Sequence, residues 1–363
     1  MVTALHNLWQ DETLRLVRVE GYAIGQPPVT PTKLVIGASG FLGSHVTKQL
    51  VARGDDVRVL LRPTSSTRGI DGLPVDIRRG DIFDADGVRS AMLGCDVVYY
   101  CVVDARPWLL DPAPMWRTNV DGLQAVLDVA VDAGLHRFVF TSSIATIGRS
   151  NDGPVDETTS HNWLDIGGDY VRSRVQAEQM VLRYSAEKGL PSVAMCVSNT
   201  YGPGDWLPTP HGALLSAAVR GKLPFYIDGF ESETVGIEDA ARAMILAGDR
   251  GRIGERYIVS ERWMTSREIF EAGCGAVGVD PPRRGVPIAL MTAASYPSSW
   301  IARLRGRDTL LTPLNIRLMN IMSVMDHSKA VRELGWEPSP TPDAIVAAAH
   351  FFRTSRRSGR ESA

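Results

Sequence analysis

The sequence predicts an α/β protein, with a doubly wound parallel sheet and a smaller, discontinuous C-terminal lobe. Three observations carry this reading. From Lys33 onward, short β-branched runs alternate with longer helical segments, the order of a parallel sheet covered on both faces. The strand runs are apolar without alternation, as strands buried on both sides require. After Asn199 that order ends, and Pro- and Gly-rich loops mix with short helices up to about Phe352.

Taken in order, residues 1–32 read as an N-terminal extension in which LRLVRV could form a short strand and Gln26 to Pro31 a linker. The strand candidates are KLVIG, DVRVLL, CDVVYYCVV, RFVFTS and SVAMCVS. Between them lie helical stretches such as FLGSHVTKQLVARG and MWRTNVDGLQAVLDVAVDAG. Residues 33–200 plus 234–262 are assigned to the sheet domain and 201–233 plus 263–352 to a substrate lobe. Residues 353–363, RTSRRSGRESA, read as a disordered basic tail.

A chain of 363 residues suffices for one large or two modest domains. Its formal net charge of −2 gives no sign of nucleic acid or an anionic membrane as the main partner. Cys95, Cys101, Cys196 and Cys274 form no CxxC pair and read as reduced core residues of a cytoplasmic protein, with no metal site. No apolar run approaches the ~18 residues of a membrane span, and the N-terminus lacks the apolar core of a signal peptide.

The stretch KLVIGASGFLGSHV sets Gly37, Gly40 and Gly43 between a strand and a helix. Glycines there permit a tight turn and close backbone approach to a pyrophosphate, and the helix N-terminus adds N–H donors. This points to a Rossmann-type dinucleotide site. At the end of the second strand an NAD site usually carries Asp or Glu for the adenosine ribose. Leu61 stands there and Arg62 follows, with Thr64, Ser65 and Ser66 beyond. A cation suits a 2′-phosphate, so NADP is favoured and NAD stays open. Asp81, in RRGDIFD, could accept from the adenine amino group; a helix N-terminal cap is the plain alternative.

With GASGFLG and GDIFD, the motifs TNVDG, VFTSS, YVRSRVQAE, SNTYGPGD, VGIEDAARAMILA, GERYIVS and DHSKAVRELGW run in order across Lys33 to about Phe352. Together they resemble the extended short-chain dehydrogenase/reductase family, also called the NAD-dependent epimerase/dehydratase family. DARPW, TSSIATIG, PTPHGALL and LPFYIDG are most similar to its dihydroflavonol-reductase-like branch, near hopanoid-associated epimerases and 3β-hydroxysteroid dehydrogenases. The resemblance implies a nicotinamide cofactor, a Ser–Tyr–Lys catalytic set, a small-molecule substrate and a homodimer as a frequent assembly. It assigns cofactor contacts to Gly37, Ser39, Gly40, Phe41, Leu42 and Gly43 in the first loop, and to Arg62, Asp81 and Ile82. It adds Val102, Asn119, Ser198 and Asn199.

The catalytic set maps onto Ser143, Tyr170 and Arg174, with arginine at the family's lysine position. A rival pair, Tyr184 and Lys188 in YSAEK, lies about 21 Å further along a continuous helix. That is the wrong edge of the sheet, so the pair reads as packing and a solvated cation. Arginine keeps a positive charge one turn from Tyr170 but cannot pass on a proton. Val102 and Val103 stand where the family has small residues. These departures leave three readings open: an NADP(H)-dependent carbonyl/alcohol oxidoreductase, an NAD-dependent sugar epimerase or dehydratase, and a non-catalytic cofactor-binding sensor or scaffold. The apolar segment from Val286 to Asn320, with spaced arginines, suits a lipophilic substrate; Arg303, Arg305 or Arg307 could instead meet a diphosphate.

Overall fold

The computed structural model describes residues 32–355. In chain order the elements begin with β1 (Thr32–Ile36), α1 (Phe41–Arg53), β2 (Val57–Leu61), β3 (Asp76–Arg79), α2 (Ala85–Met92) and β4 (Cys95–Tyr100). Then come α3 (Ala113–Trp116), a π-helical turn (Arg117–Asp121), α4 (Gly122–Ala130), β5 (Arg137–Ser143), α5 (Leu164–Lys188), β6 (Ser192–Val197) and β7 (Asn199–Tyr201). The chain continues through α6 (Pro210–Ala218), β8 (Phe225–Asp228), β9 (Glu231–Gly236), α7 (Ile237–Arg250), β10 (Arg256–Val259) and β11 (Arg262–Thr265). It closes with α8 (Ser266–Ala276), β12 (Arg284–Pro287), α9 (Ile288–Leu304), α10 (Pro313–Leu318), α11 (Ser328–Leu334) and α12 (Thr341–Thr354).

Seven strands form one sheet in the order β10-β6-β5-β4-β1-β2-β3, and every pairing in it is parallel. Successive residues along each strand feed opposite cores, which is why the strand sequences lack polar alternation. Val35, Val97, Tyr99 and Val139 face a core closed by α1 and α7. Leu34, Val98, Tyr100 and Phe138 face one closed by α2, α4 and α5. The order of strands reverses between β1 and β4, the place where doubly wound sheets open a crevice for ligands.

The remaining strands pair apart from this sheet, as β11-β9-β7 and β12-β8. The three-stranded sheet straddles each expected domain boundary, since residues 200/201, 233/234 and 262/263 fall inside β7, β9 and β11. Thr32 already belongs to β1, and α12 runs through Thr354, two residues into the expected tail. The extension before Thr32 and the tail after Ser355 lie outside the described residues.

A buried ion pair fixes α5 against the sheet. Glu178 Oε1 accepts from Arg256 Nη1 at 2.9 Å, with side chains only 4% and 20% exposed. Glu178 Oε2 accepts from Ser142 Oγ at 2.5 Å and Thr146 Oγ1 at 2.8 Å. Arg256 also donates to the Glu157 carbonyl through Nε (2.8 Å) and Nη2 (2.6 Å). The pair thereby joins α5, β10 and the loop that follows β5. Removing one partner leaves the other charge buried alone. Arg256→Met is expected to lower unfolding free energy by about 3 kcal/mol, read as a shift in the urea denaturation midpoint; an unchanged midpoint would contradict this role.

Candidate functional site

Most of the candidate residues follow the carboxyl ends of the sheet strands, β1 to β6. After β1 the chain turns at Gly37, whose φ is +93°. A Cβ there would sit 3.0 Å from the Cys101 carbonyl carbon and 3.1 Å from Val102 Cγ2, behind β4. A Cβ on Gly43 would lie 2.3 Å from the Gly37 carbonyl oxygen, so α1 could not approach the turn. Gly40 caps α1 without a side-chain hydrogen bond, and no acid occupies the first turn. The turn therefore presents free N–H donors of a helix end to an incoming anion, which fits a dinucleotide pyrophosphate.

Ser39, Phe41 and Leu42 are half-buried around this turn. Phe41 packs edge-on against His45, with ring centroids 5.6 Å apart. His45 Nε2 donates to the Pro203 carbonyl at 2.9 Å, tying α1 to the loop after β7. Burial, reinforced by nearby Lys48, pushes the His45 imidazole down to about 4.

Arg62 follows β2 and is exposed. Arg79 Nη1 donates to its carbonyl at 3.1 Å and to that of Ser65 at 3.0 Å, fixing the loop from the neighbouring strand. The Arg62 guanidinium itself has no partner among the described residues. Asp81 is exposed and accepts from Phe83 N at 3.1 Å. It is not the cap of α2: Asp84 fills that place, accepting from Gly87 N at 3.1 Å. Ile82 is half-buried and wedges over Gly122, where a Cβ would come within 2.4 Å of its Cδ1.

β4 ends at Tyr100, earlier than its apolar run suggests, so Val102 and Val103 lie beyond the strand. Val102 is half-buried beside Gly37, and Val103 is 41% exposed. Asn119 clips this segment in place. Its Oδ1 accepts from Asp104 N (2.8 Å), while Nδ2 donates to Asp104 O (3.0 Å) and Ser173 Oγ (3.2 Å). Ser173 in turn donates to the Tyr170 carbonyl at 2.8 Å. Asn119 thereby bridges β4's exit and α5.

Ser143 ends β5, and its Oγ accepts from Ala145 N at 3.1 Å. Gly168 breaks α5 just before Tyr170, with φ +70° and ψ −173°. A Cβ on Gly168 would strike Leu314 Cδ2 at 2.4 Å, so the break is also a close approach to α10. The Gly167-Gly168 pair was the sequence signal for this break. Tyr170 is half-buried and packs with Ala145, Trp163 and Ile321.

Arg174 is 1% exposed. Its Nη2 donates to the Thr141 carbonyl of β5, and the guanidinium carbon sits 5.1 Å from the Phe140 ring centre. Nε and Nη1 are buried without partners. Burial pushes the guanidinium down from its ordinary value, and the nearby Tyr170 phenol draws it up. Two unpaired donors at the sheet's carboxyl edge fit the hydroxyls of a bound ribose.

The Tyr184 hydroxyl donates to Asp128 Oδ1 at 2.5 Å, and Lys188 reaches the same oxygen at 3.3 Å. That pair is engaged with α4 and kept from the strand ends. Ser198 Oγ is buried and unpartnered, and Asn199 is half-buried at the start of β7. Tyr201 packs against His211 at 5.1 Å.

A cavity of about 320 Å³ lies beyond Tyr170's cluster, lined by Ile166, Ile288, Tyr296, Ile316 and Ile321, with Arg149 and Arg317 among its walls. Arg303, Arg305 and Arg307, the alternative partners for a diphosphate, are exposed at the end of α9. Arg149 follows β5 by six residues and Arg317 lies in α10, so only folding brings both to one cavity.

The profile of the NAD dependent epimerase/dehydratase family matches residues 33–260. A putative dihydroflavonol 4-reductase of Synechocystis sp. is 30% identical over 324 residues, covering 88% of this chain and 94% of the relative. Sterol demethylase protein B of Methylococcus capsulatus is 29% identical over 324 residues, covering 89% and 98%. The crystal structure of gox2253 superposes with a TM-score of 0.80 at 33% identity, covering 90% of this chain and 99% of that one.

His45 gives the site a pH signature. The unfolded chain takes a proton near pH 6.5, whereas the folded one takes it only near 4. Its contribution to stability is therefore full above about 6.5 and lost as pH falls toward 4. Denaturation series across that window should show this slope, and His45→Asn should flatten it.

Proposed function

Because the chain belongs to the NAD-dependent epimerase/dehydratase family, whose members are NAD(P)-dependent oxidoreductases, epimerases and dehydratases, we propose that it is an NADP(H)-dependent oxidoreductase. It interconverts a carbonyl and an alcohol on a lipophilic small molecule. The observation that carries this reading is the pairing of Tyr170 with a fully buried guanidinium that keeps two donors unpaired. When bound, the nicotinamide gives or takes hydride.

The chain's residues supply the rest. Tyr170 delivers a proton to the carbonyl oxygen in reduction and removes it in oxidation. Ser143 Oγ donates to the same oxygen and fixes its distance from the phenol. Arg174 acts on Tyr170 as a fixed charge one turn away and holds the ribose through Nε and Nη1. It does not relay protons, because a guanidinium does not release one. The Asn119–Ser173 bridge sets the position of Tyr170's backbone.

The exposed, unpartnered Arg62 supports NADP over NAD by offering a cation to a 2′-phosphate. Ile166, Ile288, Ile316 and Ile321 offer the cavity's apolar walls to a substrate body, and Arg149, Thr292, Arg317 and Asn320 offer polar groups beside them. A relative named for sterol demethylation agrees with such a substrate. The reading includes a cytoplasmic location.

The test combines cofactor titration with assays on ketone and nucleotide-sugar panels. Wild type should bind NADPH more tightly than NADH and turn over lipophilic ketones. Tyr170→Phe should lower kcat by about 10²- to 10⁴-fold while leaving NADPH affinity intact. Arg62→Ala should weaken NADPH binding by roughly tenfold or more without affecting NADH. Cofactor binding without turnover in wild type, with activity appearing in Arg174→Lys, would instead favour a cofactor-binding sensor. Turnover confined to nucleotide sugars would favour the epimerase reading.

A further inference from the structure

Helix α9 turns an apolar face toward solvent. Among its residues only Ser295 and Ala302 are buried. On the other side Tyr296 is 61% exposed, Trp300 65% and Leu304 67%. These three are spaced four apart, so they form one stripe along the axis. Leu290 (60%) and Ile301 (42%) widen it. Arg303 is the one charged residue in the helix. A soluble monomer rarely leaves a contiguous apolar patch of this kind uncovered.

Both ends of the stripe are basic. Arg283 and Arg284 precede α9, and Arg303, Arg305 and Arg307 close it. All five are exposed. Arg283 lies 3.4 Å from the exposed Asp280; the other four have no acidic partner among the described residues. The chain as a whole carries a formal charge of −2, so this is a local concentration of cations.

We propose that α9 docks in the plane of an anionic lipid surface. Tyr296, Trp300 and Leu304 enter the boundary between headgroups and acyl chains, and the arginines at either end meet lipid phosphates. Aromatic and aliphatic side chains flanked by arginine suit that boundary, where the apolar body is buried and the cation stays at the headgroup level. A second copy suits the face less well. Pairing α9 with its own counterpart, in either direction, sets arginine ends against arginine ends. Tyr296 also lines the cavity beyond Tyr170, so lipid face and cavity share a wall. The proposal stands apart from the reductase reading, because vesicle binding is measured without turnover.

The experiment is flotation of the full chain with phosphatidylcholine vesicles, with and without phosphatidylglycerol. Wild type is expected to float with the mixed vesicles and only weakly with phosphatidylcholine alone. Trp300→Ser with Leu304→Ser should reduce partitioning by at least about tenfold. Arg303→Glu with Arg305→Glu and Arg307→Glu should do the same and remove the preference for the anionic lipid. Far-UV circular dichroism matching wild type shows that both variants remain folded. A wild-type chain that stays with the bulk solution in both mixtures overturns the proposal. In that event, a dimer dissociated by Trp300→Ser with Leu304→Ser assigns the face to a second copy.

Discussion

The site depends on one buried side chain. Arg174 carries a full charge into the space beneath the end of β5, where Phe140 and the Thr141 carbonyl receive it. Burying a guanidinium is costly unless its donors are satisfied. Here one nitrogen is satisfied by Thr141, and two are left without a partner. Such an arrangement leaves two donors in want of acceptors. It sits one turn from Tyr170 and at the edge of the sheet that doubly wound folds use for ligands.

The surroundings keep that charge in place. Glu178, one turn further along α5, is locked to Arg256, Ser142 and Thr146, so the helix cannot slide against β5. Asn119 fixes α5 from the other side by joining Ser173 to the backbone after β4. The same stretch after β4 abuts Gly37, at a distance that only a glycine tolerates. Cofactor turn, strand exit and Tyr170 helix are therefore one mechanically connected unit.

Much of this was legible in the chain. Apolar runs without alternation gave the parallel sheet, because strands covered on both faces need no polar side. The glycine spacing gave the turn, since close approach leaves its mark directly on residue type. Helix length set Tyr184 far from the strand ends in sequence, and the structure engages it there with Asp128. Other features depend on contacts between distant residues. The sequence offered Asp81 as a helix cap, whereas the structure caps α2 with Asp84. The boundaries drawn through β7, β9 and β11 cut a small sheet whose strands are separated by dozens of residues. The walls of the cavity belong here too: Arg149 and Arg317 line it together only through folding, 168 positions apart in the chain.

The central claim is that Arg174 serves both the protein and the cofactor. A crystal structure of the complex with NADPH tests it directly. The account requires Nη2 to remain on the Thr141 carbonyl while Nε or Nη1 comes within about 3 Å of a hydroxyl of the nicotinamide ribose. A complex in which the guanidinium leaves Thr141, or in which the nicotinamide half stays away from Tyr170 with both donors still unpaired, would contradict it.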